Sequence, residues 1–321
     1  MRRREFLGLL GGVSAWPLAA GAQTDRVHRI GLMGSLPLES TERFRKKLAQ
    51  LGYIEGKNLI IEYRYARGND GLYPAFASEL VAMPVELIVT LGTPAAFAAK
   101  RATAKIPIVL GTIGDVIHTG LVADLAHPEG NITGFVALNA DLEEKRLELL
   151  REVLPGLARV AVLGNSANPL NKVNLDTVRR TADKLSIAVD VFEIARSEEI
   201  ARALDAIMAA HPGAVIVAAD TLLMAERKQI ADALGEARIP AIYPFREYAE
   251  AGGFIIYGAN ISNLFERSAD YVYRILNGES PHNLPVQQAT SFEIIINMKA
   301  AAKLGLTLPP TVLTRADQVI E

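Results

Sequence analysis

The sequence predicts an α/β fold made of two doubly wound parallel-sheet lobes joined by a hinge. Three observations predict it. Short apolar runs alternate with amphipathic segments along most of the chain, the alternation restarts after about residue 153, and two runs end in the same tripeptide, Leu-Gly-Thr, at 91–93 and 110–112. Apolar runs of this length bounded by Gly and Pro read as buried strands, and strands separated by helical segments form βαβ units of a parallel sheet.

The first series predicts strands at 27–33, 58–65, 87–90, 106–110 and 131–136, with helices at 39–51 and 73–83 and an Ala-rich helix between the two Leu-Gly-Thr strands. Tyr63 and Tyr65 alternate along the strand at 58–65, which suits a half-exposed edge. The second series begins with a helix at 142–153. It continues with strands at 160–163, 188–193, 214–218, 240–243 and 253–257, and with helices at 170–185, 197–209, 222–237 and 245–251. No Pro-, Gly- or Ser-rich linker separates the two series, so the hinge is expected in short crossings near 137–141 and 258–262. The lobes are accordingly assigned as 27–137 with about 261–288, and 138–260 with about 289–321.

A chain of 321 residues suits two domains of ordinary size. A formal charge of -2 with 22% charged residues carries no electrostatic footprint for nucleic acid. The start, "MRRREFLGLLGGVSAWPLAAGAQ", is an arginine-rich segment, a short apolar stretch and then small residues Ala20 and Ala22. It reads as an export signal over 1–22 with a twin-arginine pattern at Arg3 and Arg4, cleaved after Ala22 into the periplasm. The apolar stretch is too short and Gly-rich to span a bilayer. Cleavage takes the 34 basic and 36 acidic residues to 31 and 35, a formal charge of −4, and removes the single tryptophan, Trp16. With no cysteine, a lipid-modified N-terminus, disulfides, thiolate metal sites and a cysteine nucleophile are all excluded.

Ligands of doubly wound sheets sit outside the carboxyl ends of the strands, so two facing lobes place two sets of strand ends on one cleft. In the first lobe those ends carry Ser35, then Gly92, Thr93 and Pro94, then Thr112 and Asp115. Threonine followed by proline is also an ordinary helix start, and Asp115 equally suits a cap on the turn that follows it. In the second lobe they carry Asn165 and Asn168, whose carboxamides donate and accept, and Asp220, directly after an apolar strand. Asp220 is read either as an acceptor for a ligand ammonium or as a helix cap. Tyr243, Phe245 and Arg246 follow the next strand, and Tyr257 and Asn260 sit at the crossing, where rings can stack on a planar ligand.

Several stretches resemble one family: "LGYIEGKNLIIEYRYARG", "ELIVTLGTPAAFAAK", "GLVADLAHPEGNITG", "KRLELLREVLPGLARVAVLGNSANP" and "IPAIYPFREYAEAGGFIIYGAN", in that order. The chain is similar to the ABC-transporter substrate-binding proteins related to tryptophan and tyrosine binders. Gly164 departs from the bulkier residue often found there. The resemblance implies a type 1 periplasmic-binding fold and a partner permease with its ATPase, served by a monomer that closes its hinge on a small organic solute. An amino acid, aromatic or branched, suits hydroxyls, a carboxylate and tyrosines; an aromatic carboxylate is the alternative.

Enzyme readings find little support. There is no Gly-x-Gly-x-x-Gly after the first strand, no Walker loop, no Gly-x-Ser-x-Gly and no His-Glu-x-x-His. The five histidines are scattered without ligand spacing, so no metal, cofactor or catalytic residue is expected. An exported two-domain α/β enzyme using Asp115 or Asp220 is the remaining alternative.

Overall fold

The computed structural model describes residues 26–37, 39–128, 130–137 and 139–321, so the export segment expected at 1–22 lies outside the described residues. In chain order the first half runs β1 (His28–Gly34), α1 (Glu39–Gln50), β2 (Leu59–Tyr65), α2 (Tyr73–Ala82), β3 (Leu87–Leu91), α3 (Thr93–Ala102), β4 (Ile108–Ile113) and β5 (Ile132–Val136). The second half runs α4 (Asn139–Val153), β6 (Arg159–Asn165), α5 (Pro169–Leu185), β7 (Ala188–Ile194), α6 (Ile200–Ala210), β8 (Ala214–Val217), α7 (Thr221–Ala225), α8 (Arg227–Glu236), β9 (Ala241–Tyr243), α9 (Glu247–Glu250) and β10 (Ile255–Ala259). The tail adds α10 (Ile261–Leu276), β11 (Gln287–Gln288), β12 (Phe292–Asn297), α11 (Met298–Leu304), α12 (Pro310–Arg315) and β13 (Gln318–Ile320).

These strands form two separate sheets, ordered β11-β5-β4-β3-β1-β2 and β13-β12-β10-β9-β8-β6-β7. Every pairing is parallel except β10 with β12. Each sheet is therefore doubly wound about its first strand, with the switch of winding direction between β1 and β3 in one and between β6 and β8 in the other. Helices cover both faces, which is why β3 and β8 are buried along their whole length and read as near-continuous apolar runs, Thr90 being the one polar residue in them. β2 is an edge, and its Tyr63 and Tyr65 stack at 5.7 Å, half-buried.

The chain passes between the sheets three times: after β5, at Asn260 and at 289–291. After the second crossing α10 returns to the first sheet, where Phe265 stacks on Phe44 of α1 at 4.6 Å.

Several expected elements differ in their bounds, β10 starting two residues late and α9 shrinking to Glu247–Glu250, and two differences have a clear local reason. The helix expected at 222–237 breaks at Glu226, where the backbone leaves helical geometry. The break lets α7 bury Leu222, Leu223 and Met224 while α8 turns Ile230, Ala231 and Leu234 inward. The strand expected at 106–110 starts and ends later, at Ile108–Ile113, and its register with β5 slips between Leu110 and Ile113. Gly134 permits the close approach there: its φ is +133°, and a Cβ would lie 2.3 Å from the Leu110 carbonyl oxygen.

Candidate functional site

The two switch points face each other, and the space between them is a cavity shared by both sheets. Gly92, Thr93 and Thr112 line it from the first, and Asn168, Asp220 and Phe245 from the second. Apolar lining comes from Leu91, Met224 and Phe265. Met224 and Phe265 follow no strand directly, so the expectation that ligand residues sit at strand ends passed over them. The two sides touch at the rim. Ser197 Oγ reaches the Gly68 carbonyl at 3.4 Å, and a Cβ on Gly92 would stand 2.6 Å from Thr221 Cγ2.

Polar chemistry on the second lobe centres on Asp220, which is 4% exposed. It caps α7: Oδ1 accepts the Leu222 and Leu223 N–H groups at 2.7 and 3.0 Å. Oδ2 accepts from Asn168 Nδ2 at 2.7 Å and Asn165 Nδ2 at 3.0 Å. Both asparagines are themselves fixed by the backbone, Asn168 by capping α5 through Leu170 N–H and Asn165 by accepting from Ala167 N–H. Between the two readings of Asp220, the structure therefore supplies the cap, with both oxygens already accepting. Burial pushes its carboxyl upward, against these hydrogen bonds. Asp220→Ala orphans four buried donors, so a loss of about 2–3 kcal/mol in unfolding free energy is expected from urea denaturation. An unchanged urea midpoint would free the carboxylate from this structural role.

The absence of a side chain at Gly164 has a local reason. A Cβ there would meet Asn171 Oδ1 at 2.3 Å, and Asn171 is held by Glu193.

Asp70 is a polar residue that sequence reading missed, as it missed Ser40 and Thr221 on the cavity wall. Asp70 lies in the short turn before α2, 9% exposed, and its Oδ2 accepts from Asn165 Nδ2 at 3.1 Å across the lobes. Burial and then the nearby Asp220 carboxylate hold its carboxyl at about 7, and the Asn165 hydrogen bond opposes them. Nothing in "RGNDGLY" marks Asp70, because its partner stands 95 residues away.

On the first lobe, α3 begins at the cavity with no side-chain cap; Pro94 has no N–H, so Thr93 and Ala95 supply the open N–H groups of its first turn. Thr112 Oγ1 donates to backbone carbonyls at Gly111 and Ile261, tying β4 to the start of α10.

The remaining candidates lie elsewhere. Asp115 accepts from the Ile117 and His118 N–H groups and from the His118 ring, so it serves its own turn. Ser35 and Pro94 are buried but not on the cavity wall, and Asn165 acts behind it. The tyrosine expectation is corrected: Tyr243 stacks on Tyr248 at 4.7 Å inside the core because apolar helices cover both faces of β9, and Tyr257 faces an outer groove beside Lys145 and Arg315. Arg246 is paired with Glu293 at 2.6 Å. Asn260 caps α10, and both line a polar opening beside Arg43 and Glu247 rather than the apolar cavity.

Behind the cavity, α4 carries a fully buried ion pair, Glu143 with Arg146 at 2.5 Å. Arg146 Nε also donates to the Tyr257 carbonyl at 2.8 Å, and the Ala219 backbone donates to Glu143. The pair thus ties α4 to the cavity wall and to β10. Among the described residues, no group of three or more His, Asp or Glu is arranged to hold a metal, and no helix is long and apolar enough to cross a membrane.

Comparison with known proteins agrees with this architecture. The chain is 27% identical over 257 residues to a tyrosine-binding protein of Clostridioides difficile strain R20291, covering 79% of this chain and 73% of that one. A Streptococcus pneumonia ABC domain solved in complex with L-Trp superposes with a TM-score of 0.81 at 25% identity, over 91% of this chain and all of that one. The ligand-free, open structure of a substrate-binding protein with adhesive properties from Clostridium difficile gives 0.62 at 26% identity, over 92% and 99%. The ABC transporter substrate binding protein model matches residues 37–320, so the chain belongs to that family.

Proposed function

We propose that the protein is exported and captures an aromatic amino acid between its two lobes, then presents it to a membrane permease driven by an ATPase. The observation that carries this reading is the opposed polarity of one cavity. The first lobe offers the uncapped N-terminus of α3, which suits a carboxylate, and the second offers Asp220, the one carboxylate on the cavity wall among the described residues, whose field suits an ammonium. Between them the wall is apolar, with Phe245, Phe265 and Met224 sized for a ring. Binding that touches both lobes favours the state in which they meet.

Two similarities support the reading. Relatives named for tyrosine and crystallised with tryptophan share the fold, and the lobes here sit more like the tryptophan complex than like the open, ligand-free relative. A thermal-shift panel tests it. L-tyrosine, L-tryptophan and L-phenylalanine are expected to stabilise, by about 2.7 kcal/mol at a hundred times Kd, whereas sugars and 3-(4-hydroxyphenyl)propionate, which lacks the amine, are not. Stabilisation by the amine-free acid equal to that by L-tyrosine would replace this reading with an aromatic carboxylate binder.

A further inference from the structure

Asp70 and Asp220 come from opposite lobes, and one amide joins them: Asn165 Nδ2 donates one hydrogen to each, at 3.1 and 3.0 Å. Both carboxylates are buried, and Asp70 Oδ1 is fully enclosed with no partner. Two carboxylates on one nitrogen are within a few ångströms of each other, where like charges oppose closure strongly in a low-dielectric interior.

Among the described residues no cation relieves them. The groups bearing on Asp70 are Asp220 and Asn165, and those bearing on Asp220 are Asn165, Asn168 and the Leu222 and Leu223 N–H groups. The titratable neighbours from the packed elements are phenols, Tyr73 of α2 beside both carboxylates and Tyr248 of α9 beside Asp220, and burial holds each neutral. Asp220, Asn165 and Asn168 belong to one lobe and keep their bonds when the lobes part. On opening, Asp70 loses its Asn165 hydrogen bond and the neighbouring Asp220 carboxylate, whereas Asp220 keeps its four donors.

We propose that Asp70, Asn165 and Asp220 form an interlobe latch that takes up one proton as it closes, with Asp70 as the positioning residue that makes capture tighter at acid pH. The proposal rests on the reading of the interlobe cavity as the binding site and adds a control on it.

The sign follows from linkage. In the closed state the Asp70 carboxyl sits at about 7, and in the open state it returns toward the ordinary 3.8. Between those limits the closed form holds a proton that the open form does not, so closure weakens by up to about tenfold per pH unit as pH rises from 4 towards 7, then levels off. A neutral acid with an unpaired oxygen is far cheaper to bury than a carboxylate.

The test begins without ligand. Small-angle scattering of the mature protein is expected to give a smaller radius of gyration at pH 5 than at pH 8. Asp70→Asn, a neutral isostere, is expected to give the small radius at both. Asn165→Ala, which removes the bridge, is expected to give the larger radius at both and serves if Asp70→Asn fails to fold. A wild-type radius equal at the two pH values, or an Asp70→Asn or Asn165→Ala protein that keeps the wild-type pH difference, overturns the latch. L-tyrosine titration over the same range is expected to show affinity falling with pH in the wild type and flat in Asp70→Asn. No L-tyrosine binding at any pH would sink the proposed ligand, while the scattering still decides the latch.

Discussion

Arg146→Met is expected to lower the unfolding free energy by about 3–5 kcal/mol, the cost of leaving a buried partner charge unpaired. Arg146 and Glu143 are both fully buried one helical turn apart on α4. Methionine fills most of the space but leaves the Glu143 carboxylate enclosed, with only the Ala219 backbone as donor. Burial already holds the Glu143 carboxyl above its ordinary range, with Arg146 opposing. A carboxyl raised in the folded state gives stability present at low pH and lost as pH rises, so the defect should be smallest in acid, where Glu143 is buried as a neutral acid. The double variant Glu143→Leu with Arg146→Met should recover most of the loss, because it removes both charges together. Urea midpoints at pH 5 and pH 8 measure all three. A single variant as stable as wild type at pH 8 would mean that the pair is dispensable.

Gly92→Ala is expected to weaken L-tyrosine binding by about ten- to a hundredfold and also to destabilise the fold. Gly92 has φ +89° and ψ 148°, a region that is essentially glycine's alone, so any side chain there costs about 1–3 kcal/mol whether the lobes are open or closed. The binding defect has a separate cause. An added Cβ would stand 2.6 Å from Thr221 Cγ2 on the opposite lobe, and Thr221 is β-branched and slow to yield. Overpacking of this kind costs about 1–3 kcal/mol and falls on the closed state alone. Adding Thr221→Ala removes Cγ2 and should restore affinity without restoring stability. Calorimetry with L-tyrosine and melting curves separate the two effects. Wild-type affinity in Gly92→Ala would show that closure does not bring these two residues together.

The two series of strands and the carboxyl ends that border the cavity were legible because they follow from local periodicity and from the winding of parallel sheets, whereas the order of strands within each sheet came from the structure. β3 and β8 are buried on both faces, so their apolar runs are nearly continuous and easy to read. The break at Glu226 was not legible. "LLMAERKQIADALGEA" has helical composition throughout, and only the packing of α7 and α8 against different neighbours separates them.

The family resemblance, the α/β class and the strand ends that border the cavity can be read along the chain alone, because Gly92, Thr93, Thr112, Asn168 and Asp220 are positioned by the strands just before them. Tertiary structure decided which of those side chains remain available. Asp115 and Asp220 sit at similar places after a strand, yet one closes its own turn and the other faces the cavity as a cap. It also decided the pairing of Asp70 with Asn165, and the removal of Tyr243 into the core. The physical reason is range: capping and strand periodicity act over a few residues, whereas a hydrogen bond across lobes joins groups that no local pattern relates.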